Sequence, residues 1–439
     1  MELTKRIKIG ILVSIIIVAG TYHLYVDDEL NPEAKKWIEY YSKPTELEGN
    51  AFIGLIALSP SNDISTEQAK ELYKTELGNI TKGSLDYFQQ LKYPNVSGLP
   101  DIFGDDEAYF CEFNKDNCLS ETAKNRVILE EKTNKLTSIT DQYRSLSKLT
   151  NFEPLNSIAT EPDWDSLIPI QRLAFLEVYF HILDNDLELA ALQLSQLISV
   201  ERKFLRNATE AVFHAVPIVN FELYYQPLLL KLKEQGFANW EVFGDALTPL
   251  SFEEISMNRM WLIMFAQGTR ALQFKYIAER AEGMGHSLHG FQAQIKYKEN
   301  MTLNSMFGYQ KLQLIPENAK KENLISLVEI ADREANAHSE RLRSEIKNMF
   351  WFTIKNYRNI VGSFLEVTAL PKFLNLYEDK FKLDLRLLLL NMVSNEDKDD
   401  LESAINLNKY INPYTGEAPK LLDSKLCYIL QDNKVCIDI

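Results

Sequence analysis

The N-terminus carries one apolar run between opposite charges. Basic residues lie within positions 1–8, the run with its aromatic-rich end fills 9–26, and Asp27, Asp28 and Glu29 follow at once. A helix over the run would measure roughly 27 Å at about 1.5 Å per residue, close to the ~30 Å hydrocarbon core of a bilayer. Cations before such a run and anions after it favour a cytoplasmic N-terminus. The sequence therefore predicts a basic cytoplasmic segment, a single transmembrane anchor and an exported body.

A cleaved signal peptide is the alternative for this segment. The strongly apolar part from Ile9 to Gly20 has the length of a signal-peptide core. Cleavage after Gly20 would put Val18 and Gly20 at the recognition positions, which is tolerable but is not the A-x-A pattern. No cysteine precedes Cys111, which excludes a lipoprotein. We predict an uncleaved anchor, and with either outcome the body is exported.

The cysteines form two pairs that are local in sequence, Cys111 with Cys118 and Cys427 with Cys436. Around the second pair, two strand-like runs flank a polar turn, which predicts a β-hairpin with its cysteines facing each other. Disulfides over loops this short stabilise a fold by roughly 2.5 kcal/mol each in the chain-entropy model. Free thiols in a cytosolic protein are the alternative. Zinc fits less well, because no histidine lies near either pair and neither has the spacing of a zinc knuckle.

Composition limits the partners. The formal charge is −15, and the basic N-terminus leaves the exported body more acidic still. Such a body is repelled by nucleic acid and by anionic lipid headgroups, so we exclude nucleic acid as a partner. A hydrophobic content of 46% with 11% aromatic residues predicts a packed globule rather than a disordered stalk.

Helical periodicity dominates the exported body and predicts a mainly α fold built from helical hairpins or a bundle, with a small C-terminal β-hairpin. We predict three consecutive parts: 27–165 as a helical and irregular region with one disulfide, 166–395 as a helical core domain, and 396–439 as a turn followed by the stapled hairpin.

Individual helices are predicted from apolar spacing and from helix breakers. A helix from Pro169 to Ile182 and a returning helix from Leu187 to Arg206 form a helical hairpin around a polar turn. Further helices are predicted over 207–232, 252–282, 321–359 and 373–393. The apolar residues of 260–274 are interpreted as ordinary core, and a cavity for a small apolar ligand among them is the alternative.

Three stretches carry a resemblance. The first runs from Asn356-Tyr357-Arg358-Asn359-Ile360-Val361-Gly362 through Arg386-Leu387-Leu388-Leu389-Leu390, the second combines the first cysteine pair with Asp141-Gln142-Tyr143-Arg144, and the third is Asn412-Pro413-Tyr414-Thr415-Gly416-Glu417-Ala418-Pro419. Together the first two resemble a family of uncharacterised membrane-anchored proteobacterial envelope proteins, and the third is similar to a turn that closes many exported bacterial proteins. The chain departs from the pattern with Asn412 where an Asp is usual and with its stapled hairpin. The resemblance implies the bacterial inner membrane with the bulk of the chain in the periplasm, and it implies no catalytic residue.

The loop from Gly283 to Gly290 is the weak alternative site. It holds His286, Ser287 and His289 and nearly spells the G-x-S-x-G nucleophile elbow. An elbow needs a strand before the serine, whereas the preceding residues have a helical pattern. The two histidines have the H-x-x-H spacing of a metal pair but lack a matching carboxylate. We interpret the stretch as a glycine-rich loop that ends a helix.

Three histidines stand four residues after a glutamate: Glu177–His181, Glu210–His214 and Glu334–His338. Such pairs share a helix face and can hydrogen-bond. The Glu-x-x-His spacing of di-iron bundles is absent, and so is the H-E-x-x-H zinc motif. We therefore predict structural pairs, with His338 at a satisfied core position, and predict neither a catalytic residue, a cofactor nor a metal.

These patterns favour a non-enzymatic protein. We predict a membrane-anchored periplasmic helical module that interacts with another envelope component, its partners being the inner membrane through the N-terminal helix and an envelope protein. A cell-envelope hydrolase that uses the Gly283–Gly290 loop is the alternative.

Overall fold

The structure of the protein is a computed structural model. It describes residues 14, 22–41, 45–58, 67–71, 74, 110–153, 164–272, 297–359, 361–363, 374–396, 401–405, 407–431 and 433–439.

The helices and strands follow the chain in this order: α1 (Pro32–Tyr41), α2 (Ala51–Ile56), α3 (Cys118–Lys124), α4 (Arg126–Ser145), α5 (Trp164–Leu183), α6 (Leu187–Asn207), α7 (Ala211–Asn220), α8 (Gln226–Glu234), α9 (Phe252–Ile255), α10 (Asn258–Ala271), α11 (Glu299–Lys311), α12 (Lys321–Ile346), α13 (Met349–Lys355), α14 (Leu374–Asn395), α15 (Leu401–Ala404), β1 (Lys420–Leu422), β2 (Lys425–Leu430) and β3 (Asn433–Asp438). Short 3₁₀ turns occur at Leu146–Lys148, Trp240–Leu247 and Asn408–Tyr410, and a π-helical turn occurs at Phe221–Tyr225. The predicted mainly helical fold is confirmed.

The C-terminal sheet has three antiparallel strands in the order β1-β2-β3. The predicted hairpin is its β2–β3 half, and Cys427 lies opposite Cys436 in the register. β1 was not predicted. It pairs with β2 through a turn at Asp423 and Ser424, whose φ angles of 49° and 63° are both left-handed. Turns of this kind favour Asn-Gly or Asp-Gly, so the Asp-Ser sequence gave no clear signal for a further strand.

No helix in the described part of the chain combines the length and the apolar character needed to cross a membrane. Within the segment 9–26, only Ser14 and residues 22–26 are described. The single transmembrane anchor therefore stays a prediction.

The chain divides into two compact units that alternate along the sequence. Unit 1 contains Met1–Lys43, Trp261–Leu314 and Glu329–Lys372, and unit 2 contains Pro44–Met260, Ile315–Val328 and Phe373–Ile439. The sequence predicts consecutive parts instead, over 27–165, 166–395 and 396–439. This alternation arises from contacts between stretches that lie far apart in the sequence. Local hydrophobic periodicity does not indicate such contacts.

Unit 2 is built around the predicted helical hairpin of α5 and α6. The predicted start at Pro169 is wrong, because α5 already begins at Trp164 and Pro169 lies inside the helix. The turn between α5 and α6 places Asn185 at a φ of 61°, a left-handed conformation that Asn tolerates better than most residues. α4, α7 and α8 pack against this hairpin. Phe152 lies at the centre of an aromatic cluster, with ring centroids 5.0 Å from Phe204 and 5.4 Å from Phe213. These buried rings supply much of the apolar area that holds the helices together.

Two predicted long helices are interrupted within the described residues. The segment 252–282 breaks after Ile255, where Ser256 adopts an extended ψ of 144°. The segment 321–359 breaks between Ile346 and Met349, where Asn348 accepts a hydrogen bond from the backbone of Trp351 at 3.3 Å and begins a new helix. Asn at a helix N-cap satisfies a backbone donor that would otherwise lack a partner.

The core of unit 1 forms where α1, α10 and α11 meet. Ala34, Phe265 and Phe307 are buried there together with neighbouring aliphatic side chains, and the two phenylalanine ring centroids lie 5.1 Å apart. The interpretation of 260–274 as ordinary core is confirmed for its described apolar residues, since Met260, Trp261 and Phe265 are almost fully buried.

Candidate functional site

The weak alternative site predicted at His286, Ser287 and His289 lies outside the described residues. The hydrolase reading that depends on this loop therefore stays a sequence prediction, and no described contact supports it. Among the described residues, no cluster of three or more His, Cys, Asp or Glu side chains is placed to hold a metal ion.

Both predicted disulfides are present and contain all four cysteines of the chain. Cys111 bonds to Cys118 across a Cα–Cα distance of 5.7 Å, and Cys427 bonds to Cys436 across 4.1 Å. The first links the irregular segment at 110–117 to the start of α3, and the second joins β2 to β3. Each therefore acts as a local staple.

The predicted Glu–His pairs do not form hydrogen bonds in the described contacts. Glu177 accepts a hydrogen bond from the Thr140 hydroxyl at 2.8 Å and an ion-paired bond from Arg144 instead. Burial raises the pKa of Glu177, although the Arg144 cation opposes the shift. The carboxylate thus serves to join α4 to α5.

His214 and His338, the histidines of the other two predicted pairs, differ from each other in their surroundings. The ring nitrogens of His214 are buried without a hydrogen-bond partner, and burial and the nearby Lys380 cation hold its pKa well below the usual value. His338 is half-buried rather than part of the core: its Nδ1 lies 3.0 Å from Arg341 and its ring centroid 5.5 Å from that of Tyr309.

Unit 2 also buries a carboxylate that sequence reasoning did not single out. The Oε1 atom of Glu201 accepts hydrogen bonds from Gln171 at 2.9 Å, Asn220 at 2.9 Å, Tyr225 at 3.1 Å and Tyr143 at 3.3 Å. Its Oε2 atom has no partner. Burial raises the pKa of Glu201 to about 7, against the effect of those donors. This side chain connects α6 to α4, α5, α7 and the π-helical turn.

A π-helical turn positions one of these donors. It covers Phe221–Tyr225 between α7 and α8, and its wider winding places Tyr224 and Tyr225 on the inner side. Tyr224 stacks on Phe175 at 4.5 Å, while Tyr225 reaches Glu201. π-turns are rare and often occur at functional positions. Here the turn completes the hydrogen-bond shell of a buried acid.

An open cleft in unit 2 offers a surface for contact with another molecule. It has a volume of about 410 Å³ and lies between α8, the end of α14, α15 and the end of β3. Its floor is apolar, from Leu230, Val393, Leu401 and Ile439. Binding pockets span roughly 300–1,000 Å³, so the cleft has room for a large side chain or a short peptide segment.

Lys233 fixes the geometry of this cleft. Its ammonium group donates to the backbone carbonyl of Val393 and, at 3.1 Å, to that of Glu396. Those carbonyls end α14, and a cation at a helix C-terminus satisfies carbonyls that the helix itself leaves without donors. These two hydrogen bonds therefore hold α8 against the end of α14 and fix two walls of the cleft relative to each other.

The rim of the cleft carries acidic side chains. Glu234 pairs with Lys231 at 2.8 Å, and Asp438 pairs with Lys425 at 2.9 Å. The described residues that line the cleft are apolar side chains with one lysine and two acids at the edge. Its chemistry is that of an apolar receptor with a polar edge, which suits the binding of a ligand.

Comparisons of the chain with protein-family models, with curated proteins and with solved structures gave no match. Function is therefore argued from the geometry and chemistry of the chain itself.

Proposed function

We propose that the protein is a single-pass protein of the bacterial inner membrane whose periplasmic body binds another envelope protein through the cleft of unit 2. The observation that carries the proposal is the apolar floor of Leu230, Val393, Leu401 and Ile439 at an open surface. Exposed concave apolar surface is costly for a protein that has nothing to bind there.

Two features support the compartment. The apolar run at 9–26 has the length and the flanking charges of an anchor. The disulfides Cys111–Cys118 and Cys427–Cys436 are typical of proteins that fold outside the reducing cytoplasm. The resemblance to membrane-anchored envelope proteins agrees with both.

The side chains at the rim of the cleft indicate the chemistry of the partner. The Lys233 ammonium is engaged by two carbonyls at the end of α14. The carboxylates of Glu234 and Asp438 lie at the edge of the cleft and remain 65% and 70% exposed within their ion pairs with Lys231 and Lys425. A partner segment with an apolar side chain next to a basic one would bury the apolar side chain on the floor of the cleft. Its basic side chain would then lie beside the carboxylates of the rim. We therefore propose an apolar and basic segment of an envelope protein as the ligand.

Site-specific photo-crosslinking in cells tests the proposal. A benzophenone amino acid at Glu234, on the rim, is expected to give one discrete adduct with an envelope protein. The same probe at Leu192 on α6, which is 45% exposed, provides the matched control and should give none. Filling the cleft with Leu230→Trp should abolish the Glu234 adduct, while Leu192→Trp should leave it intact.

An adduct that survives Leu230→Trp would show that the partner contacts the rim without entering the cleft, and the proposal would be wrong. Equal yields from Glu234 and Leu192 would contradict it as well, since the contact would then be non-specific.

A further inference from the structure

Helix α13 in unit 1 presents a patch of apolar side chains to solvent. Phe352 is the buried member of this short helix, at 1% exposure. The patch consists of Met349 at 53%, Phe350 at 67%, Trp351 at 62%, Ile354 at 47% and, just after the helix, Tyr357 at 44%. Scattered exposed apolar residues are ordinary, but a contiguous group of large ones marks an interaction surface.

The α13 patch is bonded to the residues that end the apolar N-terminal run. A hydrogen bond of 3.0 Å joins His23 Nε2 to the hydroxyl of Tyr357. Arg358 donates to the carbonyl of Val26 at 2.9 Å and to the carboxylate of Asp28 at 3.1 Å. The patch therefore lies beside the point where the chain would leave the bilayer.

The segment after the run is held firmly on unit 1. Asp27 accepts hydrogen bonds from the backbone N–H groups of Asn300 at 2.8 Å and Met301 at 3.2 Å, in the first turn of α11. Asn304 donates to the carbonyl of Glu29 at 2.9 Å. A carboxylate at a helix N-terminus is stabilised by the unpaired N–H groups and by the helix dipole. No slack linker separates residue 26 from the folded unit.

The stretch of chain that contains the α13 patch is basic, unlike the chain as a whole. Residues 341–358 contain five basic side chains and one acidic side chain, Glu345, in a chain of net charge −15. Aromatic side chains flanked by Lys and Arg are the composition of helices that lie in the membrane interface, where the cations approach lipid phosphates. The acidic body is repelled by anionic headgroups, but this segment is attracted to them.

From the bond between His23 and Tyr357, the exposed aromatic side chains and the local positive charge, we infer that α13 lies in the interface of the bilayer that holds the N-terminal anchor. Phe350 and Trp351 occupy the boundary between headgroups and acyl chains, and the exposed side chains of Arg343 and Lys347 contact phosphates. The inference rests on the anchoring part of the proposed function and is independent of the cleft. It assigns the protein a second membrane contact besides the anchor.

Lipid photolabelling of the full-length protein tests this contact. The protein is placed in nanodiscs of phosphatidylethanolamine and phosphatidylglycerol that contain a phospholipid with a diazirine in its acyl chain, and labelled peptides are mapped by mass spectrometry. We expect label in 9–26 and in 349–357. The peptide with Val127, which is 81% exposed in unit 2, gives the background for an exposed apolar residue.

A double variant sharpens the test. Phe350→Ser with Trp351→Ser should reduce label in 349–357 to the Val127 background and leave label in 9–26 unchanged. Both side chains are about two-thirds exposed, so the fold should tolerate the change, and an unaltered circular dichroism spectrum confirms that it does.

The outcomes separate the two proposals. Label in 9–26 with background label in 349–357 of the wild type overturns the α13 contact and leaves the anchor in place. Background label in both segments overturns the anchor, and with it the membrane part of the proposed function.

Discussion

Arg202 and Glu254 form a two-point ion pair that ties α6 to α9. The Nε and Nη2 atoms of the guanidinium donate to the two carboxylate oxygens at 2.8 and 2.6 Å, and the Glu254 side chain is completely buried. Burial alone would raise the pKa of Glu254, but the hydrogen bonds and the charge of Arg202 lower it. The same carboxylate accepts the backbone N–H of Ser251 in a capping box that begins α9.

Arg202→Ala should therefore destabilise the protein strongly. The change leaves the buried Glu254 carboxylate with the Ser251 N–H and the Arg206 contact but without its main counter-charge. Breaking a buried pair on one side costs about 3 kcal/mol. Arg206→Ala is the matched control, because Arg206 is half exposed and lies 3.3 Å from the same carboxylate; it should cost less than about 1 kcal/mol. Chemical denaturation in mild detergent measures both, and equal losses would contradict the assignment.

Glu201→Gln should change how stability depends on pH. The native pKa of about 7 lies above the ordinary value of 4.5, so the folded state binds the proton more tightly than the unfolded state. This group therefore makes the free energy of unfolding fall as pH rises from about 5 to 8, by at most about 3 kcal/mol. The variant cannot ionise, so its stability relative to the wild type should rise over the same range.

Denaturation at several pH values measures this difference. Glu402→Gln, at an exposed position on α15, controls for the loss of one negative charge. A constant difference between the wild type and Glu201→Gln across pH 5 to 8 would show that Glu201 is not buried as described.

Replacing Cys427 and Cys436 together by alanine should lower stability by about 2.5 kcal/mol, the value that the chain-entropy model gives for so short a loop. Replacing Cys111 and Cys118 should have a similar effect, because both disulfides are local staples. Alkylation of the native protein without reductant, followed by mass mapping, should find all four cysteines blocked. Free, alkylatable thiols would contradict the predicted compartment.

Gly362 and Gly308 should respond oppositely to alanine. A Cβ on Gly362 would overlap the Oγ1 atom of Thr302, which is buried and hydrogen-bonded to the carbonyl of Lys298 and to Asn359. Gly362→Ala should therefore destabilise unit 1 by about 2 kcal/mol through overpacking. A Cβ on Gly308 in α11 meets no atom within 4 Å, so Gly308→Ala should stabilise the helix by about 0.5 kcal/mol. Thermal unfolding of the pair measures both, and a stabilising Gly362→Ala would be the contrary result.

Local patterns predicted the elements whose causes are local. The α5–α6 hairpin follows from apolar periodicity interrupted by Asp184-Asn185-Asp186. The Cys427–Cys436 pairing follows from two strand-like runs around a polar turn. The breaks after Ile255 and before Met349 were missed because the apolar pattern continues across both, while a serine and an asparagine redirect the backbone.

Tertiary contacts decided the rest. The cleft combines α8, α14 and the end of β3, and these stretches lie far apart in sequence. Glu201 follows Val200 on the inner face of α6, and a carboxylate on an apolar helix face is the one signal that could have marked it. The hydrogen-bond shell of Glu201 is formed by Tyr143, Gln171 and the π-helical turn, and these come together only in the folded chain.

The Asp27 cap on α11 has a mechanical consequence. If the preceding run crosses the bilayer, unit 1 is not connected to it by a flexible linker. Rotation of the anchor about its own axis would then rotate unit 1 as well. The orientation of unit 1 relative to the bilayer would then be set at the water–lipid boundary, by the bonds that hold residues 23–27 on the folded unit.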